Sequence, residues 1–428
     1  MQKKVIVIGG GFAGLTAAAY LAKNKFKVTL LESSPKLGGR AYSFLNKDTN
    51  TQVDNGQHIL MGCYHETLKF LKLIGATDNF AFQKQLEVNF VKEESRIFPL
   101  KSVRMFYPIN LILGLLRYKA LEPKDRLSLL KVFLKLPFYS TNKFSEMNIK
   151  EWLEFENQSM TIQDAFWKIL AVGALNTNLE KASAKIFIDI LKQIFLGGNK
   201  ASTIVLPKFG LSESYCRNAE EFIKNNGGNI YLSESVENIF IKESRVLSVN
   251  TSKQNYSDFD FVICAVPSFA LNRLFTDENK INIPEFSYSS ILNFQIWLKK
   301  NVIPEGFFGL INSPLHWVFN KGTHLNIVIS DANELVNKSD EELIELVKVE
   351  MQKFFLLDPG LISNYKIIKE KRATFIPSND VIHKRPNQKT GIENLILAGD
   401  WVDTGLPSTI ESAVKSGRVA AELLTNLR

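Results

Sequence analysis

The sequence predicts an α/β fold in which helices cover both faces of a parallel sheet, and three observations support it. Residues 5–8 are four consecutive β-branched residues, as a strand buried on both faces requires. Gly9, Gly11 and Gly14 follow in a G-x-G-x-x-G spacing that opens an alanine-rich helix. A second apolar strand at 28–31 ends in Glu32, roughly 20 residues past the glycines. This order is typical of a Rossmann-like unit that binds a dinucleotide.

Each glycine of the turn has its own task. Gly9 permits the tight turn, Gly11 lets the backbone approach a pyrophosphate, and Gly14 lets the helix pack closely on the strand. The helix N-terminus favours phosphate through its free N–H groups and positive dipole. The carboxylate of Glu32 is placed to bind a ribose 2′-hydroxyl, which disfavours NADP. A glycine turn without a ligand is the plainer alternative. The predicted contacts here are Gly9, Gly11, Phe12, Ala13, Gly14, Glu32 and Ser33.

Length and hydropathy bound the class of protein. At 428 residues and 45% hydrophobic content, the chain can bury a large core and form about two or three domain-sized units. The uncharged stretch 5–22, after Lys3 and Lys4, resembles a secretion signal or a membrane span. We reject both, because three adjacent glycines suit an apolar helix poorly and the nucleotide unit explains the segment. We therefore expect a soluble or peripheral protein.

The cysteines and the net charge bear on the cellular compartment and on the partners of the protein. Cys63, Cys216 and Cys264 are scattered and lack C-x-x-C spacing, so neither disulfides nor a metal site is predicted, which suits a reducing cytoplasm. The net charge of +8 allows attraction to nucleic acid or to a membrane surface. No nucleic-acid motif is present, and a lysine-rich solvated surface explains the charge equally well.

A second glycine pair follows the nucleotide unit. In the segment 37–40, Gly38 and Gly39 precede Arg40, whose guanidinium can bind the same pyrophosphate through two hydrogen bonds. A plain NAD domain has no need of this segment. Its presence shifts the prediction to FAD, although an ion pair at the surface is the alternative for Arg40.

The segment 54–58 is dense in hydrogen-bonding groups and follows a short strand-like stretch. We predict that Gly56, Gln57 and His58 form a loop against the flavin ring. A polar turn in which His58 only satisfies backbone groups is equally consistent with the sequence.

The stretch 101–138 contains eight basic and two acidic residues, a net charge of +6, interleaved with apolar residues. It predicts two basic amphipathic helices. Such a pair can lie in a membrane interface, with lysines near anionic headgroups. Two ordinary helices packed on a substrate domain are the alternative. The apolar helix predicted at 185–196 either lines a greasy pocket or belongs to the core.

The C-terminal motif is a buried strand at 395–397 that leads to Gly399 and Asp400. Asp400 is predicted to accept hydrogen bonds from the ribityl hydroxyls. Ser408 and Glu411 form a predicted capping box, and the helix they begin would point its N-terminus at the pyrimidine end of the flavin. The predicted cofactor contacts of this motif are Gly399, Asp400, Ser408, Thr409 and Ile410.

The order of these signals predicts two interleaved domains. An FAD-binding domain is expected at 1–80, 205–275 and 388–428, and includes a strand from Val236. A substrate-binding domain, with the stretch that would meet a membrane, is expected at 81–204 and 276–387. Within these ranges we predict strand pairs around 229–239, short strands from 275 to 385 and an amphipathic helix at 341–355.

Several of these segments resemble one family. Gly9–Gly14 with Glu32, Leu37–Arg40, Gly227–Gly228, Val236 and Leu397–Asp400 resemble the amine oxidase and phytoene desaturase superfamily of flavoproteins. Within it, the stretches 54–62, 174–177 and 400–411 resemble the hydroxysqualene dehydroxylase family of hopanoid pathways. The chain departs from the superfamily at Gly210, where relatives often have two glycines.

The resemblance implies an amine-oxidase-like α+β architecture and a reductive reaction. Reduced FAD would deliver hydride to an allylic carbon of hydroxysqualene as its hydroxyl leaves, giving squalene and water, with the hard chemistry carried by the flavin. This implies a hydrophobic isoprenoid substrate and an electron source for the flavin. His58 and Tyr64 are the candidates for the acid that protonates the leaving oxygen. The predicted location is the cytoplasm, as a protein peripheral to the inner face of the membrane.

Two other functions are consistent with these residues. One is an oxidative flavoenzyme. An amine oxidase is disfavoured, because Thr409 and Ile410 stand where that family pairs aromatic residues. A carotenoid or polyprene desaturase stays open, because its substrate needs the same apolar pocket. The other is a non-catalytic escort of prenylated partners.

Overall fold

The computed structural model describes residues 2–276 and 281–426. Its strands are β1 Lys4–Ile8, β2 Lys27–Leu31, β3 Ser43–Asn46, β4 Thr51–Asp54, β5 Leu60–Met61, β6 Phe80–Phe82, β7 Glu87–Lys92, β8 Arg96–Lys101, β9 Ile204–Pro207, β10 Asn229–Tyr231, β11 Val236–Lys242, β12 Arg245–Thr251, β13 Asn255–Tyr256, β14 Phe261–Cys264, β15 Tyr288–Leu298, β16 Gly306–Leu310, β17 Trp317–Asn320, β18 Leu325–Ile329, β19 Ile362–Phe375 and β20 Leu395–Leu397.

The helices are α1 Phe12–Lys23, α2 His65–Leu73, α3 Ile109–Leu116, α4 Pro123–Lys135, α5 Ile149–Phe155, α6 Met160–Ile162, α7 Lys168–Leu175, α8 Ala184–Leu196, α9 Arg217–Asn225, α10 Ser268–Leu271, α11 Asp340–Phe355, α12 Asn379–Ile382 and α13 Ile410–Thr425. A π-helical turn at Gln163–Trp167 joins α6 to α7, and another at Ser212–Cys216 precedes α9. The predicted helices at 185–196 and 341–355 are confirmed.

The predicted parallel sheet is present, in the order β10-β2-β1-β14-β20 with every neighbouring pair parallel. Residues of β1 that point to one side, such as Val5 and Val7, pack with α1, α9 and α13 in an apolar cluster. On the other side, Ile6 and Ile8 pack against Ile239 and the strands β11 and β12. The expectation of helices on both faces is therefore wrong, because a small antiparallel sheet supplies the apolar cover on one of them.

A seven-stranded sheet forms the second layer, in the order β19-β15-β18-β17-β16-β7-β8. Its pairs are antiparallel except for β16 with β7. One face packs on α11, and the other packs under α3 to α8, around Trp152 and Trp167. The strands β15 and β19, 11 and 14 residues long, are longer than the short strands predicted between 275 and 385. Long pairing of two edge-side strands is a tertiary property that alternation alone does not reveal.

Two further expectations are tested by the strand pairing. The segments predicted as strand pairs around 229–239 are strands, but β10 pairs with β2 in the parallel sheet whereas β11 pairs with β12. The small sheet β5-β9-β6 connects the residues on either side of the predicted boundaries at 80 and 205. The domain ranges stay a prediction, and their positions 1, 277–280, 427 and 428 lie outside the described residues.

Candidate active site

The glycine turn sits at the carboxyl ends of β1 and β2, and its glycines differ in what the fold demands of them. Gly9 has φ +105°, and a Cβ there would lie 2.8 Å from the carbonyl oxygen of Ala265. A Cβ on Gly14 would lie 1.9 Å from the oxygen of Gly9. At Gly11 the nearest atom to a Cβ would be the Cα of Gly39, 3.8 Å away. Packing therefore explains Gly9 and Gly14 but leaves room at Gly11, where a diphosphate would fit.

Glu32 closes this turn from the end of β2. Its buried carboxylate accepts hydrogen bonds from the backbone N–H of Gly10 at 2.6 Å and of Ser34 at 2.8 Å. The N–H of Glu234 binds the carbonyl of Glu32, which brings the start of β11, at Val236, to the same end of the site. Ser33 lies beside Glu32 and is exposed. The structure thus brings together the residues predicted to hold a ribose.

The second glycine pair packs on the first, because the N–H of Gly38 donates to the carbonyl of Gly10 at 2.9 Å. Arg40 then forms an ion pair with Asp400 and donates to the carbonyl of Ala373. Burial acts to raise the pKa of Asp400, but the Arg40 guanidinium outweighs it and holds that pKa below its ordinary value. The carboxylate of this ion pair is buried, so the pair joins the two predicted cofactor segments instead of lying free at the surface.

The loop 54–58 is held against the seven-stranded sheet. Asn55 donates to the carbonyl of Arg40 at 2.9 Å, and Gln295 donates to the carbonyl of Asp54 at 2.9 Å. A Cβ on Gly56 would lie 3.0 Å from the side-chain amide of Asn293, so a larger residue there would require that amide to shift. The N–H of Gln57 donates to Asn293 at 3.4 Å.

Asn293 and Gln295 were missed from the sequence. Both are almost fully buried on one face of β15, with exposures of 3% and 0%. Two amides at alternate positions within the otherwise apolar run 291–298 are an available signal, since a buried amide requires partners. Their partners in the loop 54–58 are more than 200 residues distant in the chain, so only the fold shows what the signal means.

His58 lies in this loop as a neutral imidazole. Burial lowers its pKa to about 4, and the positive charges of Arg40 and Lys321 act in the same direction while Asp54 opposes them. Lys321, also missed from the sequence, is half-buried in the turn between β17 and β18. Burial lowers the pKa of Lys321, with Asp54 partly offsetting the effect. Lys321 is thus a cationic group that acts on His58.

Tyr64 lies apart from this corner, at the N-cap of α2. Burial raises its pKa, and the neighbouring Cys63 and Glu411 raise it further, so the phenol keeps its proton at neutral pH. It packs among the apolar residues of the core rather than in the loop 54–58. The two residues predicted as candidate acids are therefore held in different surroundings.

The start of α13 corrects the predicted capping box. Thr409 is the N-cap and accepts from the N–H of Ser412, while Ser408 donates to Asp400. Glu411 turns instead to α2, where its two oxygens accept from the N–H groups of Glu66 and Thr67 at 2.8 Å each. The local pattern was misleading because a tertiary partner competes for the same carboxylate. The N-terminus of α13 still lies beside Asp400, since the hydroxyl of Ser412 donates to the Asp400 carbonyl.

An apolar cavity lies between α3, α4 and α8, with a water-accessible volume of about 160 Å³. Leu111, Leu115 and Phe133 are among the residues that line it. These residues belong to a continuous apolar cluster over the seven-stranded sheet, and Ile59, next to His58, packs against the same cluster. Phe195 and Leu196 at the end of α8 line the cavity, whereas the middle of this predicted helix is core. Both alternatives for the helix thus apply to different parts of it.

The fold and the site define an FAD-dependent oxidoreductase. The model of the flavin containing amine oxidoreductase family matches residues 12–425, and the chain belongs to this family. The resemblance seen in the sequence is thereby confirmed, as is FAD as the cofactor.

The chain is similar over almost its whole length to individual proteins of known class. A hydroxysqualene dehydroxylase of Zymomonas mobilis is 28% identical over 420 residues, covering 97% of this chain and 98% of the relative. A 15-cis-phytoene desaturase of Synechococcus elongatus is 22% identical over 465 residues, covering 98% and 95%. The solved structure of an oxidoreductase from Methanosarcina mazei superposes with a TM-score of 0.75 at 16% identity, covering 98% of this chain and all of that one.

Proposed function

We propose that this chain reduces a hydroxylated polyisoprenoid of the hydroxysqualene type to the corresponding alkene, as its relatives' name describes. The observation that carries the proposal is the apolar cluster that extends from the cavity between α3 and α4 to Ile59, beside the polar loop 54–58. A long apolar substrate with one hydroxyl requires such a path, polar at one end only. The cavity holds only part of such a chain, and we infer that the remainder extends toward His58 when the substrate binds.

The residues present fit FAD. Glu32 follows β2, Gly11 follows β1 and Asp400, the partner of Arg40, follows β20, so they lie in this order across the parallel sheet, which suits the ribose, the diphosphate and the ribityl chain. When bound and reduced, FAD would supply the hydride, and an external electron donor would restore its two electrons. The substrate's C–O bond would break as the oxygen takes a proton and leaves as water.

The protein's part is to position the substrate hydroxyl and supply that proton. A general acid works best when its pKa lies near the working pH. His58 is neutral above about pH 4, and the raised pKa of Tyr64 makes it a weak acid. His58 and Tyr64 stay the proposed acids, and we add Lys321, whose charge acts on His58 and whose pKa burial lowers.

The location follows from the substrate class. We infer that the enzyme takes its substrate from a membrane and works at the inner face as a peripheral protein. No helix among the described residues is both long enough and apolar enough to cross a bilayer.

An anaerobic assay tests the reaction. Purified holoenzyme with chemically reduced FAD and hydroxysqualene should yield squalene, detected by mass, only when both reduced flavin and intact protein are present. Substitution of Lys321 by Met should lower turnover more than Tyr64→Phe if Lys321 supplies the proton. No squalene from a yellow, FAD-loaded protein would overturn the proposal.

The second candidate, an oxidative polyprene desaturase, is favoured by the likeness to phytoene desaturases over almost the whole chain. It would be indicated by polyprene oxidation with oxidised FAD and an electron acceptor. A colourless protein that cannot be loaded with FAD would instead favour the escort.

A further inference from the structure

The segment 106–138, which contains α3 and α4, exposes four large apolar side chains. Phe106 is 68% exposed and Phe138 is 86% exposed, while Leu127 and Leu134 are each 54% exposed. Large apolar side chains exposed singly are ordinary, but a concentration of them within one stretch of chain indicates a binding surface. We call Phe106, Leu127, Leu134 and Phe138 the apolar rim.

Three residues of the apolar rim, Phe106, Leu134 and Phe138, adjoin the apolar cavity. Leu134 both lines the cavity and is exposed, so it marks the opening. Phe106 precedes Tyr107, and Phe138 follows Pro137, and both of these neighbours line the cavity. The hydroxyl of Tyr107 donates to the carbonyl of Phe195 at 2.8 Å, which fixes the segment with Phe106 to the end of α8. The exposed apolar residues and the buried cavity are therefore one continuous apolar feature.

Basic residues lie next to the rim residues on α4. Positions 124, 127, 131 and 134 lie on one face of the helix, because they are three or four residues apart, and they alternate Lys124, Leu127, Lys131 and Leu134. Arg104 lies two residues before Phe106. Lys124, Lys131 and Arg104 are exposed, and in the part of the chain that the structure describes none of them forms an ion pair. Their charge is free to act on a partner.

We propose that the apolar rim and these three cations bind the headgroup region of an anionic bilayer, and that the substrate enters the cavity there. The cations pair with lipid phosphates while the rim side chains enter the acyl boundary. A bilayer accounts for both features, since a soluble anionic ligand has no need of the rim and an apolar protein partner has no need of free cations. The entrance role rests on the proposed function, whereas the binding of lipid does not.

Vesicle flotation of the FAD-loaded protein, without substrate, tests the binding. Vesicles of phosphatidylcholine with phosphatidylglycerol should carry the protein up at 0.1 M salt, and pure phosphatidylcholine vesicles should carry at least tenfold less. High salt should weaken the binding, because it screens exposed charges. Arg104→Gln, Lys124→Gln and Lys131→Gln together should lower the partition constant at least about tenfold.

A matched pair of variants tests the rim. Phe106→Ser, Leu127→Ser and Phe138→Ser together should abolish flotation. The control replaces three exposed apolar residues elsewhere, Phe240→Ser, Leu247→Ser and Val349→Ser, and should float like the wild type. Equal flotation of the two triple variants would overturn the proposal, as would a wild-type dimer in sedimentation velocity that only the rim variant dissociates.

Rates of hydroxysqualene conversion test the membrane entrance and the proposed reaction separately. The rim variant should convert hydroxysqualene at least tenfold more slowly from vesicles than the wild type, with equal rates in detergent micelles. An absence of turnover in both media, with flotation as expected, would refute the reaction and leave the membrane surface standing. Equal rates from vesicles would refute the entrance.

Discussion

Replacing Gly11 by alanine separates what the cofactor requires from what the fold requires. A Cβ at this position meets no atom closer than 3.8 Å, and the residue is the N-cap of α1 with an ordinary φ of −81°. Alanine is a poorer N-cap than glycine by about 1 kcal/mol. It also restricts the unfolded chain, which returns about 0.4–1 kcal/mol. The apoprotein should therefore keep its free energy of unfolding to within about 1 kcal/mol.

FAD binding should respond much more strongly. The added methyl projects into the space that the turn leaves open at Gly11, where the diphosphate would lie, so the Kd for FAD should rise at least about tenfold, or ~1.4 kcal/mol. Gly14→Ala is the opposite case, because its Cβ would lie 1.9 Å from a backbone oxygen. Overpacking against backbone should cost the fold about 3 kcal/mol or more.

Two measurements check this contrast. Urea denaturation of the apoprotein gives the free energy of unfolding, and quenching of flavin fluorescence on titration gives the Kd. Gly391→Ala is the control, since a Cβ there has no neighbour within 4 Å and the residue lies outside the predicted cofactor contacts. An unchanged Kd in Gly11→Ala, or a loss of stability equal to that of Gly14→Ala, would refute the reasoning.

Three further predictions follow from the site. Asp400→Asn removes the carboxylate charge that pairs with Arg40. It should lower the free energy of unfolding by about 1–3 kcal/mol, measured by thermal melts, and weaken FAD binding, measured by titration. Exposed Asp403→Asn should change neither quantity. The pKa of His58 is lowered to about 4 in the folded state, so the unfolded chain binds its proton first as the pH falls. The stability that the neutral imidazole contributes is therefore full above about pH 6.5 and is lost toward pH 4. Melts of His58→Asn from pH 7 to 4 should therefore fall less steeply than those of the wild type, and parallel curves would contradict this; exposed His65→Gln is the control. Glu411→Gln weakens the cap on α2 and should lower the free energy of unfolding, measured by urea denaturation, by about 1–3 kcal/mol. Glu220→Gln breaks only a surface ion pair and should lower it by at most about 0.5 kcal/mol. Equal losses of stability would show that the cap is unimportant.

The nucleotide unit was predictable because its signals are local. Strand, turn, helix and carboxylate lie within residues 4–32, and each follows from backbone sterics and periodicity over a few positions. The same holds for the strand that leads to Asp400 and for the helix α11. The nucleotide unit and the strand that leads to Asp400 predicted the α/β class and the cofactor, and the structure places both in the parallel sheet, whereas α11 packs on the seven-stranded sheet.

What surrounds the reacting end of the site was decided only by tertiary contacts. Asn293 and Gln295 reach the loop 54–58 from more than 200 residues away, and Lys321 comes to act on His58 from a turn whose sequence has no distinguishing motif. Glu411 leaves its local capping position for α2 for the same reason.

The sequence by itself thus determined the family, the nucleotide turn and its glycines, since each depends on residues that are neighbours in the chain. The tertiary structure alone decided the protonation of His58, because a pKa depends on burial and on charges that distant segments supply. It also decided that the helices α3 and α4 line an apolar cavity, since a periodic pattern shows which face of a helix is apolar but not what that face encloses.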